Sequence, residues 1–261
     1  MNKLQEILDT KRQEVAEKKT LRSAVNLQKR NSEIRDFESA LRNNGMQVIG
    51  ELKLRSPSRG LIHQENAIGG ITRGYESGGA AAISVLTDQT YFGGRLEYLQ
   101  QVREVVNLPV MRKDFIVDEY QIRESYHAGA DAILLILDAL SLKEMEHFYR
   151  LAGDLGLHVL VEAFTEESLE SLQQLRPNIS GVNARDLRSL ELDFELMLER
   201  RSQLPAGSLA VAESGITSPE HLQRASAAGY DAALIGTAFM SEPDPGATLT
   251  EYIQALRRTV G

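Results

Sequence analysis

Several short apolar runs of this chain carry charges where only hydrophobic side chains are expected. Glu51 and Lys53 close the run QVIGELK, Lys113 closes PVMRK, Glu162 sits in HVLVEA, and Asn183 and Glu213 end ISGVN and LAVAE. Lys and Glu are rarely buried without a partner, so such positions need a reason. For Glu51 and Lys53 alone, a structural ion pair stitching neighbouring strands would suffice. Lys113 and Glu162 at equivalent strand ends ask for more. Crowded, partly desolvated Lys and Glu push each other's proton affinity in opposite directions, which supplies acid and base forms near neutral pH. General acid/base catalysis is the chemistry these residues suit.

A second pattern concerns anions. Ser214-Gly215 follows Glu213, and Gly236-Thr237 follows the run AALI. Glycine-containing turns expose backbone N–H groups and admit a phosphate closely, often at the start of a short helix. Such turns after the last two strands predict a phosphate cup, and with it a small phosphorylated substrate.

These side chains must be brought together by the elements that carry them. From Met46 onward eight apolar runs alternate with amphipathic stretches: QVIGELK, AAISVLT, PVMRKDF, AILLIL, HVLVEA, ISGVNA, LAVAES and AALIGT. Helices are predicted near 67–77, 96–106, 119–127, 142–155, 166–175, 194–202 and 219–227, with a last one ending near Arg258. Short apolar strands each followed by a helix mean a parallel sheet covered on both faces. Eight units in about 215 residues fit a closed (β/α)8 TIM barrel, whose chemistry sits at the C-terminal strand ends. An open doubly wound sheet fits less well, because no strand runs into a GxGxxG turn. The echo SGGAAAISVLT, HAGADAILLIL and AAGYDAALIGT, aligned on Gly79, Gly129 and Gly229, reads either as a helix-capping glycine before every second strand or as a common loop motif. Residues 2–19 and 32–41 predict two helices before the first strand. The expectation is one domain, with a helical extension over 1–45 and the barrel over 46–261.

Composition narrows the partners. A net charge of -8 without a long basic run argues against nucleic acid, and the longest apolar run, Ala132 to Leu137, is too short for a bilayer. The absence of cysteine excludes thiol redox chemistry and thiolate ligands, and the five histidines show no metal-ligand spacing. A cytoplasmic protein is expected; a monomer is the expected state, with an oligomer left open. Asp131 and Asp231, at N-terminal strand ends, read as structural. Asp138 could face the ring. Tyr91-Phe92-Gly93-Gly94 and Arg95, in the loop after the second strand, read as a solvated loop, with a lid or substrate contact as the alternative.

The strand-end residues resemble indole-3-glycerol phosphate synthases. Glu51-Leu52-Lys53-Leu54-Arg55-Ser56-Pro57-Ser58-Arg59-Gly60 is similar to that family's first-strand signature, Ser84-Val85-Leu86-Thr87 to its second, and Leu108-Pro109-Val110-Met111-Arg112-Lys113-Asp114-Phe115 to its third. Leu160-Val161-Glu162, Asn183-Ala184-Arg185-Asp186-Leu187 and Ala212-Glu213-Ser214-Gly215-Ile216 complete the set. The departures are Ala184, Ala163-Phe164 and Gly236-Thr237, none of which removes a proton-transfer group.

The resemblance implies closure of 1-(2-carboxyphenylamino)-1-deoxyribulose 5-phosphate to indole-3-glycerol phosphate with loss of carbon dioxide and water. It further implies Lys113 as general acid, Glu162 with Lys53 as acid for the expelled hydroxyl, and Glu51 as base, in a coupled set whose roles are exchangeable. Lys53 and Ser56 would meet the substrate carboxylate, Asn183 and Arg185 would orient hydroxyls or that carboxylate, and Phe115 and Leu187 would pack on the ring. Glu213, Ser214, Gly215, Gly236 and Thr237 would line the phosphate side. No metal or organic cofactor is implied, since the substrate carries its own activating carbonyl. A phosphoribosylanthranilate isomerase would want a cysteine base that this chain lacks. The other alternative is a catalytically silent phosphate-binding barrel serving as a partner subunit.

Overall fold

The computed structural model describes residues 2–21, 30–56, 60–63 and 67–258. Pro57, Ser58 and Arg59 of the first-strand motif, and the side chain of Ser56, lie outside the described residues. Helices α1 (Lys3–Leu21) and α2 (Phe37–Leu41) precede the first strand. The second is shorter than the periodicity of 32–41 predicts. Asp36 caps its first turn, accepting from the Ser39 N–H, and thereby fixes the start of the helix.

The eight apolar runs form β1 (Gln47–Leu52), β2 (Ala82–Leu86), β3 (Val110–Lys113), β4 (Ala132–Ile136), β5 (His158–Ala163), β6 (Ile179–Asn183), β7 (Leu209–Glu213) and β8 (Ala232–Ile235). They close into one parallel barrel in chain order, β8 pairing back onto β1. The helices between and after them are α3 (Ile68–Gly78), a short α4 (Gln89–Phe92), α5 (Glu97–Val105), α6 (Glu119–His127), α7 (Leu142–Asp154), α8 (Glu166–Leu175), α9 (Phe194–Arg200), α10 (Pro219–Ala227), α11 (Thr237–Met240) and α12 (Pro245–Arg258). Several begin at a polar cap; Ser141 and Glu144 form a complete capping box on α7. A small hairpin pairs Arg55–Ser56 with Gly60–Leu61. Among the described residues no helix is long and apolar enough to cross a membrane.

Strand alternation divides the hydrophobic residues in two. Val48, Leu52, Ile83, Val85 and Val161 pack outward under the helices. Ile49, Met111, Leu134, Leu160, Val211 and Leu234 fill the barrel, plugged at its ends by Phe37 and Leu41 of α2 and by Leu4, Ile7 and Leu8 of α1. The sequence echo has a conformational cause: Gly79, Gly129 and Gly229 have φ of 96°, 92° and 91°, the left-handed geometry that ends a helix before the next strand.

Asp131 is structural, as its place at the start of a strand predicts. Its Oδ1 accepts from Arg30 Nη2 at 2.9 Å and from the Arg35 N–H at 2.9 Å, and its Oδ2 accepts from the Val110 N–H at 2.9 Å. Arg103 makes a further ion pair. Asp231 likewise accepts from the Ala210 N–H. Asp131→Ala strands two guanidinium groups and a buried amide, so a loss of about 3–5 kcal/mol is expected in urea unfolding; an unchanged midpoint would deny this carboxylate its clamping role.

Candidate active site

Parity sets the site. Residues of the same alternation as the barrel-filling Ile49, Met111, Leu160, Ile179 and Val211 end their strands as Glu51, Lys113, Glu162, Asn183 and Glu213. Lys53, two residues past Glu51, stays on the inner side. A cavity of about 240 Å³ opens over this layer, lined among others by Glu51, Lys53, Lys113, Glu162, Asn183 and Arg185. A larger recess of about 1100 Å³ lies outside the barrel, between α1, α5 and α6, and none of those six residues lines it.

The charges form one connected set. Lys53 Nζ lies 2.9 Å from Glu51 Oε1 and donates to Thr237 Oγ1 at 2.8 Å. Lys113 Nζ lies 3.2 Å from Glu51 Oε2 and 3.3 Å from Glu213 Oε2. Asn183 Nδ2 donates to Glu162 Oε1 at 3.0 Å, while its Oδ1 accepts from the Arg185 N–H at 2.9 Å. Its amide therefore holds Glu162 in place. Burial opposes ionisation of Glu51, yet the ammonium groups of Lys53 and Lys113 bring its carboxyl down to about 2. Burial also opposes the charge on Lys113, but Glu51, Glu213 and Glu162 hold that ammonium above the usual lysine range. Glu213 goes the other way: burial, then the charge of Glu162, push its carboxyl well above the usual range. The set thus presents a firm carboxylate, a firm ammonium and a carboxyl pair that can share a proton.

Two glycines make room for these carboxyls. A Cβ on Gly236 would run into Glu51, and one on Gly181 would run into Glu213. Gly181 was the signal in the sequence that something large occupies the barrel beside β6.

The expectation that Glu213 lines the phosphate side is corrected. Its carboxyl is fully buried and reaches Lys113, and it is not among the residues lining the cavity. Reading it with the following Ser214-Gly215 overlooked the strand alternation, which turns Glu213 inward and leaves the turn above it. Ser214, Gly215, Gly236 and Thr237 do line the cavity together, and Ser214 and Gly215 hold φ of 63° and 74°. The turn is left-handed at both residues, a conformation costly for the serine.

Phe115 and Leu187 also line the cavity, joined by Phe92, whose ring centroid is 6.3 Å from that of Phe115. Of the two readings of residues 91–94, the solvated loop is corrected: Phe92 faces the cavity. Asp88 caps α4, accepting from the Tyr91 and Phe92 N–H groups, and this turn aims Phe92 inward. Asp138 does not reach the charged set; it accepts from the Phe164 and Thr165 N–H groups after β5. Arg112 and Asp114, flanking Lys113, turn outward into a second buried network with Thr87, Glu124 and Lys11, which sequence reasoning missed.

A family model described as indole-3-glycerol phosphate synthase matches residues 4–252. The indole-3-glycerol phosphate synthase of Dechloromonas aromatica is 42% identical over 253 residues, covering 94% of this chain and 97% of that one. Its counterpart from Chromobacterium violaceum is 41% identical over 259 residues, covering 97% and 98%. Among solved structures, the tryptophan synthase alpha chain from Legionella pneumophila superposes with a TM-score of 0.63 at 16% identity, covering 85% of this chain and 97% of that one. The 3-hexulose-6-phosphate synthase from Salmonella typhimurium gives 0.65 at 13% identity, covering 82% and 99%. At such identities the two structures bear on the fold alone.

Proposed function

The chain belongs to the indole-3-glycerol phosphate synthase family, and from that premise we propose how its own residues carry out the ring closure. The phosphate of the substrate sits at the turns after β7 and β8, against Ser214, Gly215, Gly236 and Thr237. The aryl ring lies across the mouth on Phe92, Phe115 and Leu187. This places the reacting carbons above Lys113, Glu51 and Glu162. Lys53 is assigned to the substrate's carboxylate, and Asn183 and Arg185 to its hydroxyls or that carboxylate.

In the first step the carboxyl-bearing aryl carbon attacks the ribulose carbonyl, whose oxygen gains charge. Lys113, held protonated by Glu51 and Glu213, faces that oxygen as general acid and as a fixed positive charge. Loss of carbon dioxide restores the electron pair to the ring. Expulsion of the hydroxyl then needs a proton, for which Glu162, coupled to Glu213 and supported by Lys53, is the source. Removal of the remaining proton falls to Glu51, which is ionised at any pH well above 2. The single observation that carries this reading is the convergence of Glu51, Lys53, Lys113, Glu162 and Asn183 on one cavity. A cytoplasmic monomer belongs to the same reading, and one chain supplies every residue of the ring.

The reading of a silent partner subunit is not favoured, since buried, mutually coupled ammonium and carboxyl groups are costly to keep without chemical use. One assay separates the two. The chain contains no tryptophan, so indole fluorescence appearing on mixing purified protein with 1-(2-carboxyphenylamino)-1-deoxyribulose 5-phosphate reports product alone; no signal would sink the enzymatic assignment. Inorganic phosphate is expected to compete with that substrate, and a purely noncompetitive pattern would move the anion away from β7 and β8.

A further inference from the structure

Helix α1 does more than close the barrel mouth. Lys11, on its inner face, is buried to 5% exposure. Its ammonium lies 2.7 Å from Asp88 Oδ2, 3.1 Å from Asp114 Oδ1 and 2.9 Å from Glu14 Oε2. Each of the first two carboxylates holds one half of the aromatic wall. Asp88 Oδ1 accepts from the Tyr91 N–H at 2.7 Å and the Phe92 N–H at 3.3 Å. Asp114 Oδ1 accepts from the Phe115 N–H at 2.9 Å. Two turns separated in sequence are thus pinned at one point by a cation from a third element.

Charge balance explains why the cation matters. Asp114 has a second partner in Arg112, at 3.0 Å, but Arg112 is itself shared with Glu124 at 2.9 Å. Lys11 is the cation that bridges Asp88 to Asp114. With it gone, no cation ties the two carboxylates together, and the turns bearing Phe92 and Phe115 lose their common anchor.

We propose that Lys11 is a positioning residue of the active site: by tying Asp88 to Asp114 it sets the spacing of the Phe92 and Phe115 rings, so that α1 determines how the aryl end of the substrate is held. This rests on the function proposed above for what the wall binds, though not for how it is built. The effect is directional. The phosphate turns after β7 and β8 have no bond to Lys11 or its partners among those described, so the two ends of the substrate should respond differently.

The test compares the full-length chain with Lys11→Met, Lys11→Arg and Lys19→Met. Lys19 is a control from the same helix, half-exposed and paired with Asp118 at 2.9 Å. At a temperature where circular dichroism shows all four folded, Lys11→Met is expected to raise KM by about tenfold or more with kcat within about threefold, the signature of lost binding common to ground and transition states. The inhibition constant of inorganic phosphate should stay within about twofold, because that end of the site is untouched. Lys11→Arg should recover most of the loss, and Lys19→Met should behave as the unaltered chain. An unchanged KM in folded Lys11→Met, or equal weakening of substrate and phosphate, would overturn the proposal.

A second arm needs neither substrate nor correct folding energetics. Phe92→Trp adds a single indole to a chain without tryptophan, and its quenching by acrylamide should rise at least about twofold when Lys11→Met is added, as the wall loosens. Equal quenching in the two backgrounds would overturn the proposal whatever the activity shows. If the unaltered chain turns over no substrate, the functional assignment falls while this arm still decides the role of Lys11.

Discussion

Lys113→Ala is expected to lower turnover by about a hundredfold or more, the scale of a lost general acid, with substrate affinity within several-fold. The ammonium sits between Glu51 and Glu213 at 3.2 and 3.3 Å, directly under the space assigned to the ribulose carbonyl. The carbonyl oxygen of the bound substrate carries little charge, whereas in the transition state it bears a developing negative charge. An interaction that strengthens only there appears in kcat and not in KM. Removing the cation also leaves Glu51 and Glu213 less compensated, and Glu51 should then rise from about 2 toward the ordinary carboxylate range. The change is checked by steady-state indole fluorescence on protein shown to be folded. Turnover equal to that of the unaltered chain would remove Lys113 from the chemistry.

The second large effect belongs to the carboxyl pair. Glu162→Gln is expected to cost about a hundredfold or more in turnover, because an amide cannot give up the proton that the departing hydroxyl needs. Asn183 would still bond to the amide, so the architecture should survive. Glu213→Gln should behave differently, keeping turnover within about tenfold, since Glu213 touches Lys113 and Glu162 but does not line the cavity.

The pH profile separates them further. Burial, then the neighbouring charge of Glu162, pushes the Glu213 carboxyl well above the usual range, so the pair retains a proton into the range where isolated carboxyls have lost theirs. Activity should fall as rising pH strips that shared proton. In Glu213→Gln the carboxyl that holds a proton beside Lys113 is gone, and the alkaline limb moves to lower pH. A limb that stays in place, or moves up, would mean that the proton used in dehydration comes from elsewhere.

Much of this was legible from local pattern. Burial on both faces gives parallel strands their unbroken apolar runs, so β1 to β8 could be placed from the order of those runs alone. Charges inside such runs then marked Glu51, Lys53, Lys113 and Glu162. Alternation even specifies which face each side chain takes, and it would have turned Glu213 inward had it been applied beyond Ser214-Gly215. Phe92 was left between a solvated loop and a substrate contact because the short α4 depends on a cap, Asp88, that pairs with Lys11 of a distant helix.

Hydrophobic periodicity and strand parity are properties of neighbours in the chain, so the amino-acid order determined the eight-fold repeat and the residues at its rim. Which of those residues meet is another matter. Lys11 with Asp114, Lys53 with Thr237, and Lys113 with Glu213 are joined only because β8 pairs back onto β1 and α1 folds over the mouth. A charge interacts with whatever lies within a few ångströms, however distant in sequence. The proton affinities of this site were therefore decided by closure of the barrel and burial of its rim.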